Sequence, residues 1–129
     1  MRVSGSIESR PGSIPFIVLR GDHDLVTERE LQATLQRALA GGSSVMVSLE
    51  RVTHLGSPAI GALVAAHMQA ERAGLLLALV VPAGGHSARR ALDATGMLGS
   101  LTVFESARDA QRVCEAWGPA APPAVAALV

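Results

Sequence analysis

One serine in this chain has the setting of a chemically active or regulated residue. Ser57 lies between Gly56 and Pro58, directly before an amphipathic segment. This context predicts a serine that caps the helix, where unpaired backbone amides favour negatively charged groups. The glycine-flanked form of a hydrolase nucleophile elbow is lacking. Ser57 is therefore predicted to be either a helix cap or a site of modification, and not a nucleophile.

An aspartate is the second candidate. Asp24 follows an apolar run and precedes a helical pattern, within the segment Gly-Asp-His-Asp-Leu-Val-Thr at residues 21–27. From the residues alone, such an aspartate is a turn residue that ends a strand by bonding nearby amides.

The remaining reactive side chains favour no enzyme, metal or cofactor site. No two of the histidines have ligand spacing on one helix, so we expect them on the surface or in turns; they are His23, His54, His67 and His86. Cys114 is the only cysteine, and its place on the inner face of a helix is typical of a core residue. Residues 84–87 precede two arginines but lack the lysine and spacing of a phosphate-binding loop, which predicts a plain turn.

Composition narrows the class of partner. The 129 residues are 49% hydrophobic, enough for one domain with a real core, and 11 basic residues balance 11 acidic ones. A neutral chain is not expected to bind nucleic acid. The longest apolar run, residues 75–82, is too short to span a membrane, and no signal peptide is evident. We therefore predict a cytoplasmic protein without a membrane segment.

Hydrophobic periodicity predicts alternating strands and helices. Strands are expected at residues 3–7, 16–19, 45–49, 75–81 and 101–104, and the first two are expected to form a hairpin. The fourth run is apolar at every position, as in an interior parallel strand.

Four helices are expected between and after these strands. The first starts at a capping box formed by Thr27 and Glu30. The second covers residues 57–73, with an inner stripe formed by Ile60, Leu63, Val64 and Met68. The third covers residues 86–94, and the last is capped by Ser106, with an inner face formed by Ala110, Val113, Cys114 and Trp117.

This order predicts one α/β domain over residues 1–117. It has a mixed, mostly parallel sheet of four or five strands with about four helices. Residues 118–129 are rich in alanine and proline and are predicted to be a C-terminal tail.

Two segments in this order resemble a known family. Residues 21–27 and residues 47–57, Val-Ser-Leu-Glu-Arg-Val-Thr-His-Leu-Gly-Ser, are similar to motifs of the STAS domain, found in sulphate transporters and anti-sigma factor antagonists. The resemblance extends over residues 3–117 in element order. It departs from the family pattern at Gly56, Pro58 and His23.

The resemblance implies a binding switch. Such a domain binds an anti-sigma factor that is also a serine kinase, is released when its own serine is phosphorylated, and is restored by a serine phosphatase. By this resemblance Ser57 is the phosphorylated residue, and the partner-binding residues are Asp24, Gly56, Ser57 and Pro58. The alternative is a scaffold or small-molecule-sensing domain without phosphorylation, and a homodimer stays open in either case.

Overall fold

The computed structural model describes residues 4–117. The elements, in chain order, are β1 (Ser6–Arg10), β2 (Phe16–His23), α1 (Leu25–Ala40), β3 (Val45–Leu55), α2 (Ser57–Arg72), β4 (Leu77–Val80), α3 (Ser87–Ala94), β5 (Thr102–Phe104) and α4 (Ala107–Ala116). No helix within these residues is long and apolar enough to cross a membrane. The predicted tail at residues 118–129 lies outside the described part of the chain.

The five strands form one sheet in the order β1-β2-β3-β4-β5. The β1–β2 pair is antiparallel and the other three pairs are parallel. All four residues of β4 are buried between β3 and β5, because both faces of this strand are covered by helices. The predicted fold class and the interior position of this strand are confirmed.

The helices divide unequally between the two faces of the sheet. Alternate residues of β3 and β4 point into a large cluster with α1, α2 and α3, while Met46, Ala78 and Val80 pack against α4. Three helices therefore cover one face and α4 covers the other.

Several predicted strand boundaries are wrong. The first strand lies three residues later than expected, at Ser6–Arg10. β2 continues through the predicted turn to His23, and β3 continues to Leu55, because the two strands pair along this extension. In β3 exposed Arg51 precedes buried Val52, and exposed Thr53 lies between Val52 and buried Leu55, so the apolar run stops early although the strand does not.

The predicted capping box is also wrong. α1 begins at Leu25 with Asp24 as its N-cap, and Thr27 is a buried residue of the first turn. The Thr27 hydroxyl lies 3.0 Å from Nδ1 of His23 and does not cap the helix. Asp24, three residues earlier, is the cap instead, because its carboxylate accepts a hydrogen bond from the first free amide of the helix.

The buried face of α2 differs in composition from the predicted stripe. Ile60 and Leu63 are buried, whereas Met68 is 49% exposed. Small side chains form the rest of the buried face and let α2 approach its neighbours closely. They are Ala59, Ala62, Ala66 and Ala70.

The inner face of α4 is smaller than predicted. Ala110 and Cys114 are fully buried, while Val113 and Trp117 are only half-buried. Burial raises the pKa of the Cys114 thiol to about 11, with a smaller contribution from the charge of Glu115.

We expect Cys114 to be unreactive in the folded protein. A thiol whose pKa is raised stays protonated as pH rises toward that value, and only the thiolate attacks electrophiles. At pH 8 alkylation by iodoacetamide should be at least about 100-fold slower in the folded chain than in urea, since the pKa difference alone is about two units. Equal rates in both states would show that Cys114 is accessible.

Candidate functional site

The sheet brings the two predicted segments together. β2 and β3 are parallel neighbours, so their carboxyl ends lie at the same edge. Asp24 follows β2 and Gly56 follows β3, and the Gly56 amide donates to the His23 carbonyl at 2.8 Å. Asp24 and Ser57, identified from segments far apart in sequence, therefore belong to one surface.

The carboxylate of Asp24 connects the starts of two helices. Its Oδ1 accepts a hydrogen bond from the Leu25 amide at 3.0 Å and so caps α1. The same carboxylate lies against Gly56: a Cβ there would be 2.6 Å from Asp24 Cγ and 2.9 Å from Oδ2, and closer still to Oδ1. Gly56 thus makes room for Asp24, because any side chain at residue 56 would occupy the space of this carboxylate.

We expect Gly56→Ala to destabilise the protein by about 0.5–2 kcal/mol. The added methyl group displaces the Asp24 carboxylate and removes its capping bond. Urea unfolding measures the change. Gly61→Ala in the same helix is the control, since a Cβ there meets nothing within 4 Å and should be neutral or stabilising. A Gly56→Ala cost that persists undiminished in an Asp24→Ala background would contradict this coupling.

Ser57 is exposed and is the first residue of α2, with Pro58 second. The predicted role of Ser57 as N-cap is wrong: Gly56 is the N-cap and has no side chain with which to cap. Pro58 is tolerated there because the first-turn amides have no partner within the helix. The serine hydroxyl is therefore presented at a helix N-terminus without serving as its cap.

A histidine and a second aspartate complete this surface. His54 Nε2 lies 3.4 Å from Asp24 Oδ2 and 4.0 Å from Asp22 Oδ1. The three side chains each offer a ligand atom, and these atoms lie within 4.8 Å of one another, which is close enough to hold a cation. Direct contact of the His54 ring with the two carboxylates accounts for the same geometry without a cation. Sequence reasoning missed Asp22 and His54 as neighbours, and only their pairing in the β2–β3 register reveals them.

His23 is fully buried, so its predicted place on the surface or in a turn is wrong. Its Nε2 lies 3.2 Å from the Ser6 carbonyl and 3.0 Å from the Arg20 carbonyl. Both are acceptors, so Nε2 carries the hydrogen, and Nδ1 faces the Thr27 hydroxyl. His23 therefore links β1, β2 and α1 through these three contacts.

The glycine-rich loop before α3 forms contacts within the chain. The Arg89 side chain donates to the carbonyls of Pro82 at 2.6 Å and Val81 at 2.8 Å, and Arg90 donates to the Gly85 carbonyl. His86 caps α3 by accepting from the Ala88 amide. These contacts agree with the interpretation of this loop as a turn.

Comparison with solved structures gives similar folds at low sequence identity. An anti-sigma factor antagonist from Mycobacterium paratuberculosis is 19% identical with a TM-score of 0.72, over 87% of this chain and 95% of that one. A Thermotoga maritima protein, provisionally assigned as an anti-sigma factor antagonist, is 15% identical with a TM-score of 0.70, over 84% and 94%. The phosphorylated form of the Bacillus cell fate determinant SpoIIAA is 15% identical with a TM-score of 0.59, over 85% and 99%.

A family profile gives the assignment. The profile described as "Mlab, STAS domain" matches residues 8–102, which is more than half of the chain. This span runs from within β1 to the start of β5 and contains both segments of the candidate site. The chain belongs to the STAS domain family.

Proposed function

We propose that this chain is an anti-sigma factor antagonist-like switch. It binds an anti-sigma factor serine kinase through a surface formed by Asp24, Gly56, Ser57 and Pro58. Phosphorylation at Ser57 releases the kinase, and a serine phosphatase restores binding. The observation that carries this proposal is the exposure of Ser57 directly after Gly56, the residue against which the Asp24 carboxylate packs at one edge of the sheet.

The position of Ser57 suits a reversible charge change. A phosphate at the first residue of a helix meets unpaired amides and the positive end of the helix dipole, so α2 tolerates it. The phosphate adds about 1.5–2 negative charges at pH 7. Asp24 and Asp22 already supply negative charge there, and the sum repels a partner that docks on the unmodified surface.

We propose a role in binding and not in catalysis. The Asp24 carboxylate is engaged in capping α1, and the Cys114 thiol is buried. In the proposed cycle the partner kinase binds the ATP that provides the phosphate. The chain itself needs no cofactor. We propose that the chain acts in the cytoplasm, with residues 1–117 as the functional domain and residues 118–129 as a C-terminal tail.

A concavity beside the site favours the second candidate function, a small-molecule-sensing domain of the same fold. It measures about 530 Å³ and adjoins Asp24 and Pro58. This size is within the range of small-molecule pockets. A metabolite that remains bound through purification, together with the absence of kinase binding, would support this second function.

We expect Asp24→Ala to weaken binding of the anti-sigma kinase by about tenfold or more while the domain stays folded. The carboxylate is 42% exposed at the proposed interface, and loss of its cap costs only about 1 kcal/mol. Isothermal titration calorimetry with the purified kinase of the same organism measures the effect. Asp109→Ala is the matched control, because Asp109 is an exposed aspartate in the first turn of α4, on the opposite face of the sheet. Wild-type affinity for Asp24→Ala would remove this residue from the interface.

A further inference from the structure

One histidine and two aspartates meet where β2 and β3 end. Asp22 and His54 are register partners in this parallel pair of strands, and Asp24 follows directly after β2. One ligand atom from each of the three side chains lies within 4.8 Å of the other two. The proposed kinase cycle gives no role to His54. We call these three residues the Asp22/Asp24/His54 cluster.

The separations within the cluster are those of ligands that share one metal ion. A ring N–H and a carboxylate oxygen joined by a hydrogen bond are about 2.7–3.2 Å apart. Two ligand atoms of a tetrahedral zinc ion, each about 2.0–2.1 Å from the metal, are about 3.3–3.4 Å apart. His54 Nε2 lies 3.4 Å from Asp24 Oδ2, which is already the separation of two zinc ligands. Asp22 Oδ1, at 4.0 Å from the same nitrogen, reaches that separation by a shift of about 0.6 Å, the difference between 4.0 Å and 3.4 Å.

The ligand types select the metal. An imidazole nitrogen suits zinc and other first-row transition metals, whereas Mg²⁺ and Ca²⁺ prefer oxygen ligands alone. His54 therefore distinguishes this cluster from a group of acidic side chains that attracts any cation. Three protein ligands and one open position is the arrangement in which a zinc ion keeps a water molecule.

The surroundings orient one ligand and admit the ion. The Leu25 amide donates to Asp24 Oδ1 at 3.0 Å, which fixes this carboxylate and leaves Oδ2 towards His54. Asp22 and Asp24 both line the concavity of about 530 Å³, which gives the ion a path from solvent and leaves room for a water molecule. Ligand identity, separation, outer support and an entry path are thus all present.

We propose that the Asp22/Asp24/His54 cluster is a zinc site. Nε2 of His54 and one oxygen of each aspartate bind the ion, and a water molecule takes the fourth position. The ion holds the ends of β2 and β3 together and balances two carboxylate charges near the start of α2. This site goes beyond the proposed function and does not rest on it.

The first test measures zinc affinity. The full chain, freed of its purification tag and of metal, is titrated with zinc chloride in a calorimeter and should bind one ion. His54→Gln and Asp22→Asn should each bind at least about tenfold more weakly, since even the loss of an outer hydrogen bond costs about 10–100-fold. His67→Gln is the matched control and should bind as the wild type does, because His67 lies 3.3 Å from Glu71 but forms only a pair.

Circular dichroism checks that each variant is folded. The His54 side chain is 38% exposed, so His54→Gln should keep the fold and decides the test even if Asp22→Asn does not fold. Absence of zinc binding by the wild type, or wild-type affinity in His54→Gln, would overturn the proposal. If zinc binds but the kinase does not, the site stands and the proposed function fails.

The second test locates the ion and identifies its class. Long-range nitrogen–proton NMR should show that zinc shifts Nε2 of His54 more than the ring nitrogens of His67 and His86. Excess magnesium chloride should leave this shift in place. A zinc shift centred on His67 or His86, or displacement of zinc by magnesium, would overturn the proposal.

Discussion

Ser57→Asp should reduce affinity for the anti-sigma kinase by at least about tenfold, equal to about 1.4 kcal/mol. The substitution places a permanent negative charge at the first residue of α2, directly after Gly56, against which the carboxylate of Asp24 packs. Like charges at an interface cost up to several kcal/mol. The helix itself should tolerate the change, since an acidic residue in the first turn interacts favourably with the positive end of the helix dipole. Calorimetric titration measures the affinity, and thermal unfolding measures the fold.

Ser57→Ala separates charge from the loss of the hydroxyl. This variant should bind the kinase with an affinity near that of the wild type but should accept no phosphate. If Ser57→Asp binds as tightly as the wild type, charge at this position does not control the partner. The scaffold or small-molecule-sensing function would then be preferred.

Leu63→Ala should destabilise the domain by about 2–5 kcal/mol, because it leaves a cavity in the main core. Leu63 is fully buried on α2, within the cluster that joins α1, α2 and α3 to the sheet. The alanines around it are too small to fill the space. Urea unfolding monitored by circular dichroism measures the free energy of unfolding.

Met68→Ala is the matched control on the same helix. Met68 is 49% exposed, so its truncation should change the free energy of unfolding by less than about 0.5 kcal/mol. An unfolding midpoint of Leu63→Ala equal to that of the wild type would contradict the packing of α2 against the core.

The strength of the hydrophobic pattern decided how much of the fold could be predicted. β4 was predicted because a strand buried on both faces is apolar at every position. The second half of β3 was not predicted, because exposed Arg51 and Thr53 interrupt its apolar residues and resemble a turn. The start of α1 was misplaced because Thr27 and Glu30 fit the capping box, while Asp24 is the residue whose carboxylate bonds the first amide.

The site was only partly accessible from sequence. Ser57 and Asp24 belong to the two segments that resemble the family, so they could be identified without coordinates. The contact between Asp24 and Gly56, and the approach of His54 to both aspartates, depend on the parallel register of β2 and β3. The exposure of Leu25 and Val26 was not predicted. It depends on the orientation of α1, and the sequence analysis started this helix at Thr27 and not at Leu25.

Mapping of the phosphate tests the central claim most directly. The purified chain is incubated with ATP and the anti-sigma kinase of its own organism, and mass spectrometry locates the modified residue. We expect one phosphate, on Ser57, with no modification of Ser57→Ala and with loss of kinase binding by the phosphorylated chain. A kinase that binds the chain but leaves Ser57 unmodified, or phosphorylation of Ser57 that leaves binding unchanged, would contradict the account.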